Sequence, residues 1–397
     1  MIQNKISSLF KQLDSSELWV FAVLWCTGVI GILRGFVMSI SGSYLIGDLF
    51  QYMIYIVPIF LAFRRFLLPK IKSSDVALTV SILFVFFLHL TVYPDNGKYM
   101  KEIFPVFIVS LPYIFFGICI DIEKYKTHIF WFSLFVVLIK IMYYLLYLGS
   151  VTNAEDADSE AYNMSSSYQC LPAVIYTLWY SIKEKSIWKM VFAVLGVFFL
   201  STMGTRGPLV CTVFFLTLYA IRYVSGSISK LFIVLTAGSL VMYYSNDILE
   251  FLFEKTESLG MSTRIYNQLL GIDEINSTGR DNLLSKLDSV MQSDFPILGE
   301  GICGTYKYIG NYAHNLYYDL IFSFGYILGI LILSIILITL GRVYFMEKEE
   351  NAHSFFLILV TVGFFKLFIS NVYLCEPYFF MLIGYCIQRF RVNKAKI

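Results

Sequence analysis

Runs of about 17 to 25 mostly apolar residues recur along the whole chain, each close to the ~20 residues that a helix needs to cross about 30 Å of hydrocarbon. Their positions predict twelve membrane helices, at 18–33, 45–63, 76–93, 103–120, 129–148, 166–182, 188–203, 208–221, 231–245, 316–340, 355–373 and 378–388. The expected fold is an all-α polytopic membrane protein in which burial in lipid replaces a soluble core. Polar stretches divide it into three parts. Residues 1–245 hold spans one to nine, 246–315 form a large loop with a surface helix, and 316–397 hold spans ten to twelve and a basic tail.

Composition strengthens this reading. Apolar residues make up 58% of the chain and charged residues 15%, with a mean hydropathy of +0.70, far from the roughly half and quarter of soluble domains. A formal charge of +2 gives no reason to expect a nucleic-acid partner, because the basic residues sit in short loops rather than on one face. They report orientation instead. With the N-terminus in the cytoplasm, 19 lysines and arginines fall in inside loops and 9 outside, so the positive-inside rule places both termini in the cytoplasm and 246–315 outside it. RRFLLPKIK, KEKSIWK and RFRVNKAK are inside segments on this scheme. The start, MIQNKISSLFKQLDSSE, reads as an uncleaved polar lead-in, since it lacks a small-residue cleavage site. Seven cysteines show neither CxxC spacing nor a metal-type pairing with histidine, so most are expected to be small buried apolar residues, and no metal or cofactor is expected. Asp156 and Asp158 spell DxD in an acidic loop that reads as solvated. No internal repeat is visible, which weighs against an inverted-repeat transporter.

The 246–315 loop carries Lys255, Arg264, Arg280, Lys286 and Lys307, although outside loops normally avoid positive charge. An anionic ligand is one reason. Arginine suits phosphate because its planar fork donates two parallel hydrogen bonds and keeps its proton. Pairing with Asp273, Glu274 or Asp281 is the other. In NSTGRDNLLSKLDSVMQSDFPILGEG, Thr278 and Asp281 read as a cap, and Leu283, Leu284, Leu287, Val290 and Met291 recur at helical spacing. That helix is expected on the membrane surface, apolar face down, ended by Pro296 and followed by a flexible GEG turn at 299–301. Arg206, in the short TRGP connection, is either a snorkelling interface residue or a cation held toward the interior at the outer face. Arg34 and Asp48 are placed to pair. Lys140 and Lys366 fall inside spans, where they line a polar cavity or bind carbonyls.

One of only four histidines, His314, stands in NYAHNLYYDLIFSFG, at the mouth of a span and on the same expected outer face as Arg206, Arg264 and Arg280. Asn311, Tyr312, Asn315, Tyr318 and Asp319 surround it in sequence. Tyrosine faces stack on sugar C–H surfaces, asparagines bind hydroxyls, and a neutral imidazole accepts a hydroxyl proton. The set suits a ligand with both sugar and phosphate.

Four segments resemble the O-antigen polymerase and O-antigen ligase superfamily of bacterial envelope proteins: TRGPLV at 205–210, TGR at 278–280, PILGEG at 296–301 and AHNLYYDLIFSFGYILG at 313–329. The resemblance covers roughly the second half of the chain and the twelve-span plan. It implies a lipid-sugar glycosyltransferase fold of the GT-C-like type, in the bacterial inner membrane. The implied activity is metal-independent glycosyl transfer from an undecaprenyl-diphosphate donor at the periplasmic face, with Arg206, Arg264, Arg280 and His314 as the essential residues. Implied partners are the lipid-linked oligosaccharide donor and acceptor, membrane lipids and a chain-length regulator protein. Within the family, a short chain and cramped loop favour polymerisation of repeat units over the ligase that joins glycan to lipid A core. A lipid-linked-oligosaccharide flippase is the alternative from another class, and it has no need of a 70-residue outer loop.

The charge asymmetry predicts that reporter fusions after Ser262 and after Glu347 fall on opposite sides of the membrane. A cytoplasmic signal at Ser262 rejects the outer placement of the loop and the reading built on it.

Overall fold

A computed structural model describes residues 25, 27–62, 69–148, 164–203, 205–224, 227–259, 263–271, 280–293 and 295–394. Every regular element among them is helical. Before the polar segment these are α1 (Thr27–Ser41), α2 (Tyr44–Ala62), α3 (Ser73–Val92), α4 (Gly97–Ser110), α5 (Tyr113–Cys119), α6 (Ile122–Leu148), α7 (Met164–Glu184), α8 (Ile187–Thr202), α9 (Arg206–Val224) and α10 (Ile228–Tyr243). The polar segment adds α11 (Ser245–Ser258), α12 (Arg264–Leu269), α13 (Arg280–Gln292) and α14 (Tyr306–Ile309), before α15 (Leu316–Met346), α16 (Glu350–Leu359) and α17 (Pro377–Lys394). Among the described residues six stretches, against the twelve expected, are long and apolar enough to cross a membrane: Ser73–Val92, Pro94–Cys119, Ile122–Tyr143, Arg206–Val224, Leu316–Met346 and Glu350–Phe368. Burial sorts them, since Glu350–Phe368 is 89% enclosed by protein and Ser73–Val92 only 11%. The first is the centre of the bundle and the second its lipid-facing edge.

Around that centre, backbones approach closely where glycine removes the side chain. A Cβ on Gly117 of α5 would overlap the Met381 carbonyl of α17, and one on Gly384 of α17 would overlap the Ile114 carbonyl of α5. Contact of this kind is how helices associate in lipid, where hydrophobicity alone gives no preference for protein over acyl chain. Gly363 likewise abuts the Tyr378 carbonyl. The described cysteines follow the expectation: Cys119, Cys170, Cys211, Cys303 and Cys386 are buried and Cys375 is half-buried.

Two sets of contacts define the ends of the bundle. At one, Lys70 Nζ donates to the Cys119 carbonyl at 3.1 Å, Gln388 Nε2 to that of Ile120 at 2.6 Å, and Arg391 Nη1 to Asp75 Oδ2 at 2.9 Å. Arg389 pairs with Glu347, and Asn351 donates to Glu123. This end gathers the short basic loops. At the other end, Asn96 Nδ2 donates to the carbonyls of Glu300 (2.7 Å) and Ile302 (3.0 Å). Helix α3 runs from Asp75 to the turn before Asn96, and its 20 residues span about 30 Å at 1.5 Å per residue.

Several sequence-derived boundaries are corrected. The first helix continues past residue 33 to Ser41, which puts Arg34 within it rather than at its end. The run 355–373 is not one regular helix: α16 stops at Leu359, a π turn covers Val360–Phe364, and a 3-10 turn covers Phe365–Phe368. The run 316–340 is broken at Gly325, where φ is 80° and ψ 171°. That break frees the Phe322 carbonyl, which in an unbroken helix would accept from residue 326, and the Glu300 amide donates to it at 2.6 Å. Gly299 and Gly301, at φ 77° and 82°, turn the chain so that it fits there, and Ile302 N donates to His89 Nδ1 of α3 at 3.0 Å. The GEG segment, expected to be a flexible turn, is a plug locked into the broken helix. The expected membrane-surface helix is corrected too. Leu287 of α13 is fully buried and packs with Ala313 and Phe322, flanked by Leu284, Val290 and Met291, so protein covers the apolar face that was assigned to lipid.

A Cβ at Gly325 would collide with the Ile297 carbonyl in a backbone region that L side chains rarely adopt, so Gly325→Ala should sharply lower the melting temperature in detergent. Gly341, also in α15, has nothing within 4 Å of a built Cβ. Gly341→Ala should be neutral or stabilise by roughly 0.5–1 kcal/mol through helix propensity. Equal melting temperatures for the two variants would contradict the inserted plug.

Candidate functional site

The segment before α15 is built by its own side chains. Tyr312 N donates to Asn311 Oδ1 at 2.8 Å. Asn315, extended at φ −151° and ψ 118°, caps α15 by accepting from Tyr317 N at 2.9 Å. Between them His314 takes a left-handed conformation, φ 55°, uncommon for a residue with a side chain. Asp319 Oδ1 accepts from Ala313 N at 3.4 Å, so the carboxylate reaches back one turn and holds the residue before His314. The Tyr312 and His314 rings lie 4.0 Å apart.

Tyr312 forms part of the wall of a cleft of about 640 Å³ at the end of the bundle that carries the polar segment. The cleft is bounded by Arg34, Asp48 and Tyr52 of α1 and α2, Ser110 and Tyr113 around the α4–α5 junction, Tyr168 and Gln169 of α7, and the irregular stretch from Lys366 to Tyr378. Non-helical backbone at such a depth is tolerated where it is covered by protein or lines a polar cavity. Here Lys366 pairs with Glu376, and Asn371, left-handed at φ 73°, donates from Nδ2 to Glu376 Oε2 at 2.9 Å. Arg34 Nε lies 2.6 Å from Asp48 Oδ1. Lys140, 4% exposed, donates to Gln169 Oε1 at 3.2 Å and so stands behind the wall.

Arg206 is the first residue of α9 and half-buried. Its neighbours fix the connection to α7: Thr205 Oγ1 donates to Ser167 Oγ at 2.9 Å, and Gly207 sits so close to the Tyr168 hydroxyl that no Cβ would fit. Pro208, third in the helix, occupies a turn where amide protons have no helical acceptor. The backbones of Arg264 and Arg280 are described, starting α12 and α13, while their side chains lie outside the described residues, as do Thr278, Asp273, Glu274, Asp156 and Asp158. The Arg264 helix is tied to the end of α8 by Tyr266, which hydrogen-bonds Ser201. The Arg280 helix is tied to α15 by Tyr318 Oη, 2.7 Å from Asp288 Oδ1, and by Tyr326 Oη, 3.0 Å from the Met291 carbonyl.

The candidate ligand-binding residues therefore divide. Tyr312 faces the cleft. Asn311 and Asn315 have their amide oxygens engaged by backbone. Tyr318 joins two helices, and Asp319, 6% exposed, positions the turn from within. One residue escaped the sequence reading: Glu376, directly before Pro377 in an apolar stretch, is the counter-ion of the intramembrane Lys366. Its signal was a lone carboxylate ten residues from an unexplained lysine. Among the described residues no group of three or more His, Cys, Asp or Glu side chains is arranged to hold a metal ion. No protein-family model, curated protein or solved structure matches the chain.

Close by, Glu300 accepts from Tyr308 Oη at 2.6 Å and from Lys307 Nζ at 2.9 Å. Burial pushes its carboxyl up, but the two hydrogen bonds outweigh burial and hold the pKa below the ordinary 4.5. A carboxyl lowered by folding adds stability above its unfolded pKa and loses it as pH falls through the folded one. The melting-temperature gap between the parent and Glu300→Gln should be constant above pH 4.5 and close below it, and a gap independent of pH would exclude the pairing.

Proposed function

We propose that this chain polymerises undecaprenyl-diphosphate-linked oligosaccharide repeat units, of the O-antigen or capsular kind, by metal-independent glycosyl transfer at the periplasmic face of a twelve-span, GT-C-like membrane fold. The observation that carries this reading is the shared cleft. One wall presents Tyr312, packed on His314, and another presents Tyr168, packed on the glycine that follows Arg206. Tyr312 and Tyr168, which adjoin the candidate base His314 and the Arg206 turn, thus line one polar cavity. The resemblance of TRGPLV, TGR, PILGEG and AHNLYYDLIFSFGYILG to the polymerase and ligase superfamily supplies the reaction class.

In the proposed step the acceptor hydroxyl oxygen attacks the anomeric carbon of the donor, the bond from that carbon to the phosphate oxygen breaks, and the hydroxyl proton passes to the His314 imidazole. Undecaprenyl diphosphate departs with added negative charge. Arg206, Arg264 and Arg280 neutralise it, and fixed donors aimed at developing charge are worth about 3–4 kcal/mol each in comparable sites. Asp319 acts through the turn that it holds. Polymerisation and ligation to lipid A core share this chemistry and differ in acceptor, and the glycan left by a deletion strain separates them. A single repeat on core marks the loss of a polymerase, whereas accumulated undecaprenyl-linked polymer marks the loss of a ligase.

His314→Ala should leave the protein in the membrane and lower the transfer rate by about 10²–10⁴, read as loss of long glycan on a gel. Normal chain length in that variant removes His314 from the mechanism. Arg280→Lys keeps the charge without the fork, so it should be severely impaired and Arg280→Ala more so, by roughly 10²–10³ in rate. Full activity per molecule in Arg280→Ala, assayed on purified protein with lipid-linked repeats and a chelator present, would discard the role.

A further inference from the structure

We infer that the cleft between Arg34, Tyr113, Gln169 and Glu376 is a binding site for an uncharged stretch of glycan, more than one sugar ring long, and that the buried Lys366–Glu376 pair is its specificity element. The inference deepens the proposed function and rests on its reading of the cleft as a place where lipid-linked sugars are handled.

Its size is the first argument. About 640 Å³ falls within the roughly 300–1,000 Å³ of small-molecule sites. Chemistry is the second. Five tyrosines and three side-chain amides line the space, so flat apolar faces alternate with groups that both donate and accept hydrogen bonds, as sugar C–H surfaces and hydroxyls require. An acyl chain would strand those amides and four charged groups in hydrocarbon.

Charge is the third argument and selects within the sugars. The lining holds two cations and two carboxylates, already paired as Arg34 with Asp48 and Lys366 with Glu376. An anionic sugar would find no uncompensated cation and would meet two carboxylates. A hydroxyl finds both of its needs met at one place. The Lys366 ammonium has three donor protons and lies over the Tyr168 ring, 5.3 Å from its centre, while Glu376 accepts. Desolvating such a pair costs several kcal/mol per ion, and a well-packed apolar replacement is often at least as stable. Stability alone therefore does not account for a lysine and a glutamate 8% and 1% exposed in the centre of the bundle. Tyr312, which lines the same cleft and packs on His314, sets the cleft beside the proposed base, which makes this the acceptor side.

The test uses the purified full chain in lipid nanodiscs and, as probe, oligosaccharides released by partial acid hydrolysis of the host strain's own surface polysaccharide, tagged and measured by equilibrium dialysis. Uncharged fragments of two or more rings should bind, and oxidising their primary hydroxyls to carboxylates should weaken binding at least tenfold. Lys366→Met combined with Glu376→Gln removes both charges together, so the protein should melt as the parent does while affinity drops tenfold or more. If that variant does not fold, Tyr52→Leu, on the wall away from the pair, carries the same expectation for affinity. No binding of any uncharged fragment, tighter binding of the oxidised form, or parental affinity in a folded cleft variant overturns the assignment. Elongation measured on the same preparations keeps the two proposals apart. Glycan binding without elongation in the parent leaves the cleft assignment standing and removes the polymerase, whereas parental elongation with undiminished binding in the double variant does the reverse.

Discussion

A helix that stops inside a bilayer leaves carbonyls and amides that no lipid can satisfy, and this chain stops helices at two depths that matter, at Gly325 and between Val360 and Asn371. The first stop is closed by another part of the chain. The Glu300 amide takes the Phe322 carbonyl, and Asn96 and His89 take the groups on either side. From that closure follow the seat of α13 on α15, the direction of 316–324, and the place of His314 ahead of it. At the second stop side chains take backbone amides, Asn371 Oδ1 accepting from Val372 N and Glu376 Oε1 from Tyr378 N, while Lys366, Asn371 and Glu376 compensate one another. This stop opens the polar cleft in the most enclosed helix of the bundle.

The two stops also explain how residues distant in sequence come to border one space. Continuous helices would carry residues 312 and 366–378 past each other as parallel rods with apolar flanks. Breaking both lets polar side chains turn inward at a single end, where α7 contributes Tyr168 and Gln169 and the α9 start packs on the first of these. The opposite end is fastened by polar pairs. There Arg391 and Asp75, Arg389 and Glu347, and Gln388 and the Ile120 carbonyl fasten α17 across the loops.

The all-α membrane character was legible because hydrocarbon imposes a length and a composition on whatever crosses it, and six stretches of the described residues meet both. The interruptions were not legible. Whether GEG at 299–301 flexes or plugs depends on a carbonyl freed at Phe322, and nothing local to either segment announces the other. The Arg34–Asp48 pair was legible from charge and depth. Glu376 was not, because ten residues of a regular helix would carry it away from Lys366, and only the 3-10 turns at Phe365–Phe368 and Tyr373–Cys375 with the irregular backbone between them bring the two together. His314 stood out by rarity and context, but its left-handed backbone and the reach of Asp319 to Ala313 depend on the cap at Asn315. The apolar stripe of α13 was seen and its partner mistaken, since periodicity reveals that a face is covered without saying by what.

Helix α17 packs backbone to backbone on α5 and ties to Asp75, Ile120 and Glu347, all of which leave the ribosome before it. Those surfaces must be delivered into the membrane and wait there, incomplete. Glu376 follows Lys366 by ten residues, about a second or so at 5–20 residues per second, so the ammonium enters the bilayer region ahead of its counter-ion and needs a temporary aqueous or protein neighbour. The order of synthesis therefore makes insertion of the segment from α16 to α17 a step exposed to quality control. A chain halted before Glu376 would present an unneutralised intramembrane cation, a signal by which an unfinished molecule differs from a finished one.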